Sequence, residues 1–384
     1  MPVNQESKDS SATQVKVKSS VLLIGNFLSS TKGNYNVCED LASRLEQIGL
    51  PVLTTSDKLA RFPRLVDMVT TVWRKRHQYV VAHVDVYSGP GFALAEAVCW
   101  ALRWLDKPYV LTLRGGNLPV FAKRWPRRVR RLLQSAEVVT TPSEFLREQM
   151  APYRSDLRLQ LNPIDLDLYR FETRHRPQPR LVWLRAFHSI YNPSLAAEVV
   201  ALLIKDIPDV SLVMYGHDKG DGSLQTMRQL ATRLGVSERI ETPGGVSKSE
   251  VPDRLSAGDI FLNTTNVDNT PISVLEAMAS GLCVVSTNVG GIPYLLEHEQ
   301  DGFLLPPGDA QAMAAAVRRI LTEPGLAEKL TANARKKAER FDGSAILQQW
   351  EKILAEVQSK KYSLRQSYSA EYQAPAPVTR ERKS

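Results

Sequence analysis

The feature that most constrains this chain is an alternation of short apolar runs with helical patterns, carried through twice. Residues 21–24 read as a buried strand closed by Gly25. Residues 35–48 read as a helix with Val37, Leu41, Leu45 and Ile48 on one face, and 50–54 as the next strand. Strand, loop, helix, strand opens a βαβ unit. Strand runs recur at 79–83, 109–113 and 138–140, with a helical pattern at 92–105. Asn162-Pro163 then breaks the pattern, and 172–180 is charged and proline-rich, as a linker is. The alternation restarts with strands at 181–184, 211–215, 239–242, 260–263 and 284–286. Helices are read at 195–204, 224–234, 251–256, 271–280, 310–321 and 326–341. The 384 residues are too many for one ordinary core. Two arrays of similar size predict an α/β chain of two Rossmann-like, doubly wound parallel-sheet domains facing a central cleft. The expected domains are 20–172 and 173–342. An amphipathic helix at 344–358 is expected within a C-terminal segment 343–359, and 1–19 and 360–384 read as disordered. Ligands of such sheets bind beyond the carboxyl ends of the strands.

Composition excludes several classes. The net charge of +8 suits an anionic partner without choosing one. Residues 121–134 carry six basic groups and no acid, with Phe121, Trp125, Val129, Leu132 and Leu133 near helical spacing. Two readings stay open: an interfacial helix in peripheral contact with an anionic membrane, or a domain helix with a solvated basic face. Pro126 interrupts the pattern and favours the second. No recognised nucleic-acid module accompanies the charge, so no nucleic-acid partner is expected. The most apolar run, 93–113, is broken by Glu96, Arg103, Asp106 and Lys107. The first twenty residues lack the apolar centre of a signal peptide. Cys38, Cys99 and Cys283 are far apart, with neither metal-ligand nor disulfide spacing, so a reducing cytoplasm is expected. Gly25 and Gly33 are too widely spaced for the dinucleotide fingerprint, and there is no Walker lysine motif. Nicotinamide, flavin and P-loop chemistry are set aside. Lys32 and Gly33, in the loop after the first strand, remain candidates to touch a ligand.

Residues 263–281 carry the densest signal. Thr270 is expected as N-cap and Pro271 as first helical residue, with Gly281 as the stop. The amides of Ile272, Ser273 and Val274 would then be unpaired at a helix start that favours an anion. Asp268 lies in the loop ahead and Glu276 on the second turn. The bland reading is a capped helix with two surface acids. Arg185 follows the strand 181–184, where it could grip a diphosphate, with His188 nearby. Gly290-Gly291 follows another strand and either admits close approach of a ligand or makes a turn.

Asp268-x7-Glu276, with Pro271 and Leu-Glu-Ala-Met-Ala-Ser-Gly, resembles the Glu-x7-Glu signature of family 4 retaining glycosyltransferases with the GT-B fold. The resemblance continues in residues 284–293 and 301–309 and, upstream, in 111–119, 141–146 and 162–169. It spans about residues 20–358. By this resemblance Glu276 would bind donor ribose hydroxyls, Asp268 the donor sugar, the amides at 272–274 and Arg185 the diphosphate. Gly33 would face the donor, and the final helix would cross back onto the first domain. The donor would be a UDP- or GDP-sugar, with no further cofactor and no metal. The acceptor would be a carbohydrate or lipid-linked hydroxyl, met in the cytoplasm or at the inner membrane face. Asp165-Leu166-Asp167 resembles the Asp-x-Asp metal motif of another glycosyltransferase class, but its place after Asn162-Pro163 favours acids in a surface turn. Three departures stand out. Asp268 is one methylene shorter than the usual Glu. The family's phosphate lysine would fall near Ile190 or Tyr191, neither of them basic, leaving Lys32, His188 or Arg114 to supply charge. Arg114 stands where many members have histidine. A nucleotide-sugar 2-epimerase of the same architecture and a non-catalytic sugar-nucleotide or membrane-binding module are the alternatives.

Overall fold

The computed structural model describes residues 20–28 and 37–371, with side chains described as far as residue 359. The first sheet contains β1 (Val21–Ile24), β2 (Val52–Thr55), β3 (Val81–Val86), β4 (Tyr109–Leu113), β5 (Val138–Thr141) and β6 (Arg158–Leu159), in the order β2-β1-β3-β4-β5-β6. The second contains β7 (Arg180–Leu184), β8 (Ser211–Tyr215), β9 (Ile240–Gly244), β10 (Ile260–Asn263), β11 (Cys283–Thr287) and β12 (Phe303–Leu305), in the order β12-β11-β10-β7-β8-β9. All these pairings are parallel. The two doubly wound domains expected from the sequence are present. In each sheet the strand order reverses at the centre, between β1 and β3 and between β7 and β10, which is where such sheets open a crevice.

Strands covered on both faces must be apolar on both sides, and β1 and β10 are buried throughout. Leu22 and Ile24 face a core built with α2 (Arg61–Arg74), α3 (Pro90–Trp104), α4 (Leu118–Arg124), α5 (Pro126–Gln134) and α6 (Glu144–Met150). Val21 and Leu23 point the other way. They meet α1 (Val37–Gln47) and the C-terminal helix α14 (Gly343–Glu371), whose Ile346, Trp350, Ile353, Leu354 and Val357 return to the first domain. The second sheet is likewise sandwiched. α7 (Pro193–Leu203), α8 (Ser223–Arg233) and α12 (Ala310–Thr322) cover one face. α9 (Val251–Ser256), α10 (Ile272–Ala279), α11 (Ile292–Leu295) and α13 (Leu326–Ala338) cover the other.

Several expectations need correction. The strand read at 79–83 lies at 81–86, which carries Asp85 to its carboxyl end, and α2 was not anticipated. The basic stretch is two helices parted at Trp125, before Pro126. Val129, Leu132 and Leu133 sit in the core, and Arg128 makes a bidentate contact with Glu96 of α3, so α5 packs as a domain helix with its apolar side chains inward. α14 runs past residue 359 into the tail read as disordered. No Gly or Pro interrupts 344–371, so nothing there breaks the helix. Residues 1–19 and 372–384 lie outside the described residues. All three cysteines are buried and free. No helix among the described residues is long and apolar enough to cross a membrane.

Candidate functional site: the interdomain cleft

A cavity of about 370 Å³ opens between the carboxyl ends of the two sheets. Its second-domain wall is built on α10. The helix begins one residue later than expected: Pro271, with φ −68° and ψ 114°, is the N-cap, and Thr270 is not. Thr270 Oγ1 instead donates to the Pro142 carbonyl of the first domain (3.4 Å). Proline's fixed φ suits both sides of a helix boundary, and its extended ψ decides the case. The Pro271 carbonyl accepts from the Val274 amide (3.1 Å), so Val274 is not an open donor. Among the described residues the amides of Ile272 and Ser273 have no partner, and both residues line the cavity. Ser273 Oγ is buried, with no partner among the described residues. Gly281, with φ 75°, terminates the helix, its amide donating to the Met278 carbonyl (3.2 Å).

Glu276, one turn into α10, is buried on the same wall. The Tyr169 hydroxyl donates to its Oε1 at 2.8 Å. Burial pushes the Glu276 carboxyl above the usual range, while that hydroxyl, then Lys248 and Arg185, pull it back. Asp268 is held in place from three sides. Its carboxylate pairs with Arg185, its Oδ1 accepts from the Asn269 amide (2.8 Å), and its carbonyl accepts from the Gly291 amide (3.2 Å). A Cβ on Gly290 would stand 2.0 Å from that carbonyl. The glycine pair therefore packs one backbone loop against the other and supports the Asp268 loop. The Arg185 guanidinium lies over the Tyr191 ring, 4.2 Å from its centroid. Ser143 donates to Asn269, which ties the Asp268 loop to the first domain.

Two of the expected substitutes for the missing lysine, Arg114 and His188, are not brought here. Arg114 is drawn into the first domain: its Nε donates to Asp85 Oδ1 (2.8 Å) and its Nη1 to Asn162 Oδ1 (2.6 Å). The β3–β4 register pairs Val86 with Leu113, so Asp85 and Arg114 emerge side by side and satisfy each other. His188 accepts from the Ile190 amide (3.1 Å) and caps the short turn Ser189–Tyr191, outside the cavity lining. Lys32 and Gly33 lie outside the described residues. Among the described residues the cavity's lysines are Lys219, after β8, and Lys248, after β9. Lys248 reaches across the cleft to Asp40 of α1, which also holds Arg44 Nε (2.8 Å). Sequence reasoning missed both lysines, Tyr169 and Asp40. For the lysines the signal was their place just beyond strand ends of a doubly wound sheet.

Asp165 and Asp167 sit in and before the turn Leu166–Leu168, with Asp167 exposed and Asp165 on the cleft wall. Among the described residues no group of three or more His, Cys, Asp or Glu is placed to hold a metal ion. A second cavity, of about 190 Å³, lies within the first domain at the carboxyl ends of β1 and β3. Asn26, Arg61, Arg64, Asp85, Tyr87 and Ser88 line it, and Arg64 Nη1 donates to Asn26 Oδ1 (2.9 Å).

Comparison with known proteins follows this division. Sulfoquinovosyl transferase SQD2 of Arabidopsis thaliana is 29% identical over 326 residues, 79% of this chain and 60% of that protein. The putative colanic acid biosynthesis glycosyltransferase WcaL of Salmonella typhimurium is 33% identical over 136 residues, 33% of this chain and 34% of that protein. The match thus spans between about a third and three-fifths of these relatives' length. The crystal structure of Anabaena HepE in complex with UDP-glucose superimposes with a TM-score of 0.72 at 18% identity, covering 88% of this chain and all of that one. The chain therefore has the GT-B fold. Residues 167–337, which build the α10 wall of the cleft, match the family described as glycosyl transferases group 1.

Proposed function

We propose that this protein transfers a sugar from a nucleoside diphosphate sugar to an acceptor hydroxyl, with retention of anomeric configuration and without a metal ion. The observation that carries the reading is the start of α10. Two unpaired amides and the buried, unpartnered Ser273 hydroxyl open on the same cavity as Glu276, Arg185 and Lys248. A helix start with free amides suits a diphosphate. Glu276 Oε2 is left to accept from ribose hydroxyls, since Tyr169 occupies Oε1. Asp268 accepts from hydroxyls of the donor sugar, and Arg185 turns to the phosphates. The names of the sequence relatives and the UDP-glucose held by HepE support a nucleotide-sugar donor over the epimerase and binding-module readings.

In the reaction the bond from the anomeric carbon to the diphosphate oxygen breaks, and the acceptor oxygen bonds to that carbon from the same face. The departing phosphate oxygen takes the acceptor's proton. Charge develops on the diphosphate, and by this reading the amides of Ile272 and Ser273 and the cations of Arg185, Lys219 and Lys248, which line the same cavity, turn to meet it. Such electrostatic stabilisation lowers the barrier without a proton-transferring side chain. The first-domain cavity at Arg61, Arg64 and Tyr87 is the acceptor side of this scheme.

A thermal-shift panel of UDP, GDP, ADP and their sugars tests the donor site, since a ligand selective for the folded state raises its melting temperature. One nucleotide diphosphate should stand out, and no stabilisation by any of them overturns the reading. With that donor, the anomeric coupling in the product's NMR spectrum reports retention or inversion, and EDTA should leave the rate unchanged.

A further inference from the structure

Among the described residues, eight of the twelve exposed large apolar side chains lie between Leu59 and Trp125. They are not scattered. Phe62, Val66 and Trp73 are spaced by four and seven along α2 and share one helix face. Trp100 and Trp104 are spaced by four along α3, which packs beside α2. Val120 on α4 and Trp125 at its junction with α5 are exposed too, and Arg128 of α5 meets Glu96, one turn before Trp100 on α3. The exposures are high: 75% for Phe62, 62% for Trp100 and 69% for Trp104. Four of the chain's six tryptophans stand on this face, while Trp183 and Trp350 are buried.

The same segment holds the chain's positive charge. Residues 59–134 contain fourteen Lys or Arg and four Asp or Glu, a larger excess than the whole chain's +8. Of those acids, Asp85 is paired with Arg114 and Glu96 with Arg128. Arg76 lies over the Trp73 ring at 4.8 Å and Arg124 over the Trp125 ring at 5.9 Å, so cations and indoles are interleaved.

We propose that the outer face of α2, α3 and the α4–α5 junction docks on an anionic lipid bilayer. Indole rings partition to the boundary between lipid and water, and clustered Arg and Lys are drawn to anionic headgroups. A protein partner is disfavoured by the geometry. These side chains stand on outward helix ridges amid one sign of charge, whereas protein hot spots are packed in desolvated pockets with polar rims. The patch shares Trp125 and the basic side chains around it with the stretch 121–134, but Val129, Leu132 and Leu133 of that stretch face inward, and most of its apolar area lies on α2 and α3. The inference stands independently of the transfer reading, because it uses none of the cleft residues.

The test is flotation of the full chain with phosphatidylcholine vesicles, alone and with about one-third phosphatidylglycerol. Binding should require the anionic lipid and weaken with salt as surface charges are screened. Replacing Trp73, Trp100 and Trp104 together by Ala should lower the bound fraction at least about tenfold, given the apolar area removed. Circular dichroism should confirm that the variant folds. If it does not, brominated lipid decides on the unmodified protein, because tryptophans at the interface are quenched and those in water are not. Absence of flotation at low salt overturns the proposal, as does flotation that the folded variant retains. Tryptophan-dependent self-association without vesicle binding overturns it in favour of a second protein chain.

Discussion

Tyr169→Phe isolates one hydrogen bond at the centre of the cleft. The ring is 4% exposed and its hydroxyl donates to Glu276 Oε1 at 2.8 Å, so the substitution deletes one oxygen and leaves the packing. A hydrogen bond to a charged group contributes about 1.5–3 kcal/mol. Removing it withdraws that support from the ionised form alone, so the Glu276 pKa rises further. Burial already holds that carboxyl above its ordinary range. The sign then follows. A carboxyl with a raised folded-state pKa binds protons that the unfolded chain has released, so its contribution to stability is present at low pH and lost as pH rises. The variant's loss of stability should be larger near about pH 8 than near about pH 4, because the lost hydrogen bond supports the ionised form, which grows as pH rises. Nucleotide binding that needs the Glu276 carboxylate should move the opposite way, with its acid limb shifted to higher pH. Urea unfolding at the two pH values and calorimetric titration of the preferred nucleoside diphosphate across the range measure both. A folded variant whose binding profile superimposes on that of the unmodified protein would refute the role given to the Tyr169–Glu276 pair.

Three further outcomes are expected. Arg185→Ala should weaken nucleoside diphosphate binding at least about tenfold, the loss of a charge-assisted contact; an unchanged calorimetric affinity would place the diphosphate elsewhere. Asp268→Asn keeps the volume and removes the charge, so transfer should be abolished in a chain that still folds, with a lowered melting temperature from the unpaired Arg185, and near-normal turnover would sink the assignment. His83 is buried between Thr112, its Nε2 partner at 2.7 Å, and the edge of Trp350, and burial pushes its pKa down to about 4. Its stabilising contribution is present above about pH 6.5 and lost as pH falls through about 4, by up to about 3 kcal/mol. A folded His83→Gln variant that kept the full acid slope of unfolding free energy would contradict this.

The sheets were legible because strands buried on both faces leave short apolar runs bounded by turn residues. β1, β8 and β10 lie within a residue of their expected places. α2 was not anticipated. Its Phe62, Val66 and Trp73 form an apolar stripe turned to solvent, which competes with the buried stripe of Met68 and Val72 and spoils the periodic signal. The α10 boundary differed by one residue because proline is at home on both sides of a helix start. Within the site, Asp268, Glu276 and Arg185 could be chosen from the sequence because each sits at a helix start or strand end. Arg114 occupies an equally good strand end and turns elsewhere. Only the register of β3 on β4 says that a carboxylate waits one strand away.

The same register logic bears on how the cleft recognises an anion under the proposed function. Its two best-placed cations are each matched to an acid: Arg185 to Asp268 within the second domain, and Lys248 to Asp40 across the cleft. Both acids are mostly screened from solvent, so leaving either uncompensated would be costly. A diphosphate must therefore compete with two carboxylates, and only a ligand that also satisfies those carboxylates gains the full electrostatic benefit. Hydroxyls on the donor sugar can do this for Asp268, because they donate hydrogen bonds where inorganic diphosphate has none to give. The pairing thus acts as a filter. It discriminates against bare anions and favours a donor whose phosphates and hydroxyls arrive together, which ties the shorter acid at position 268 to selectivity as well as to binding.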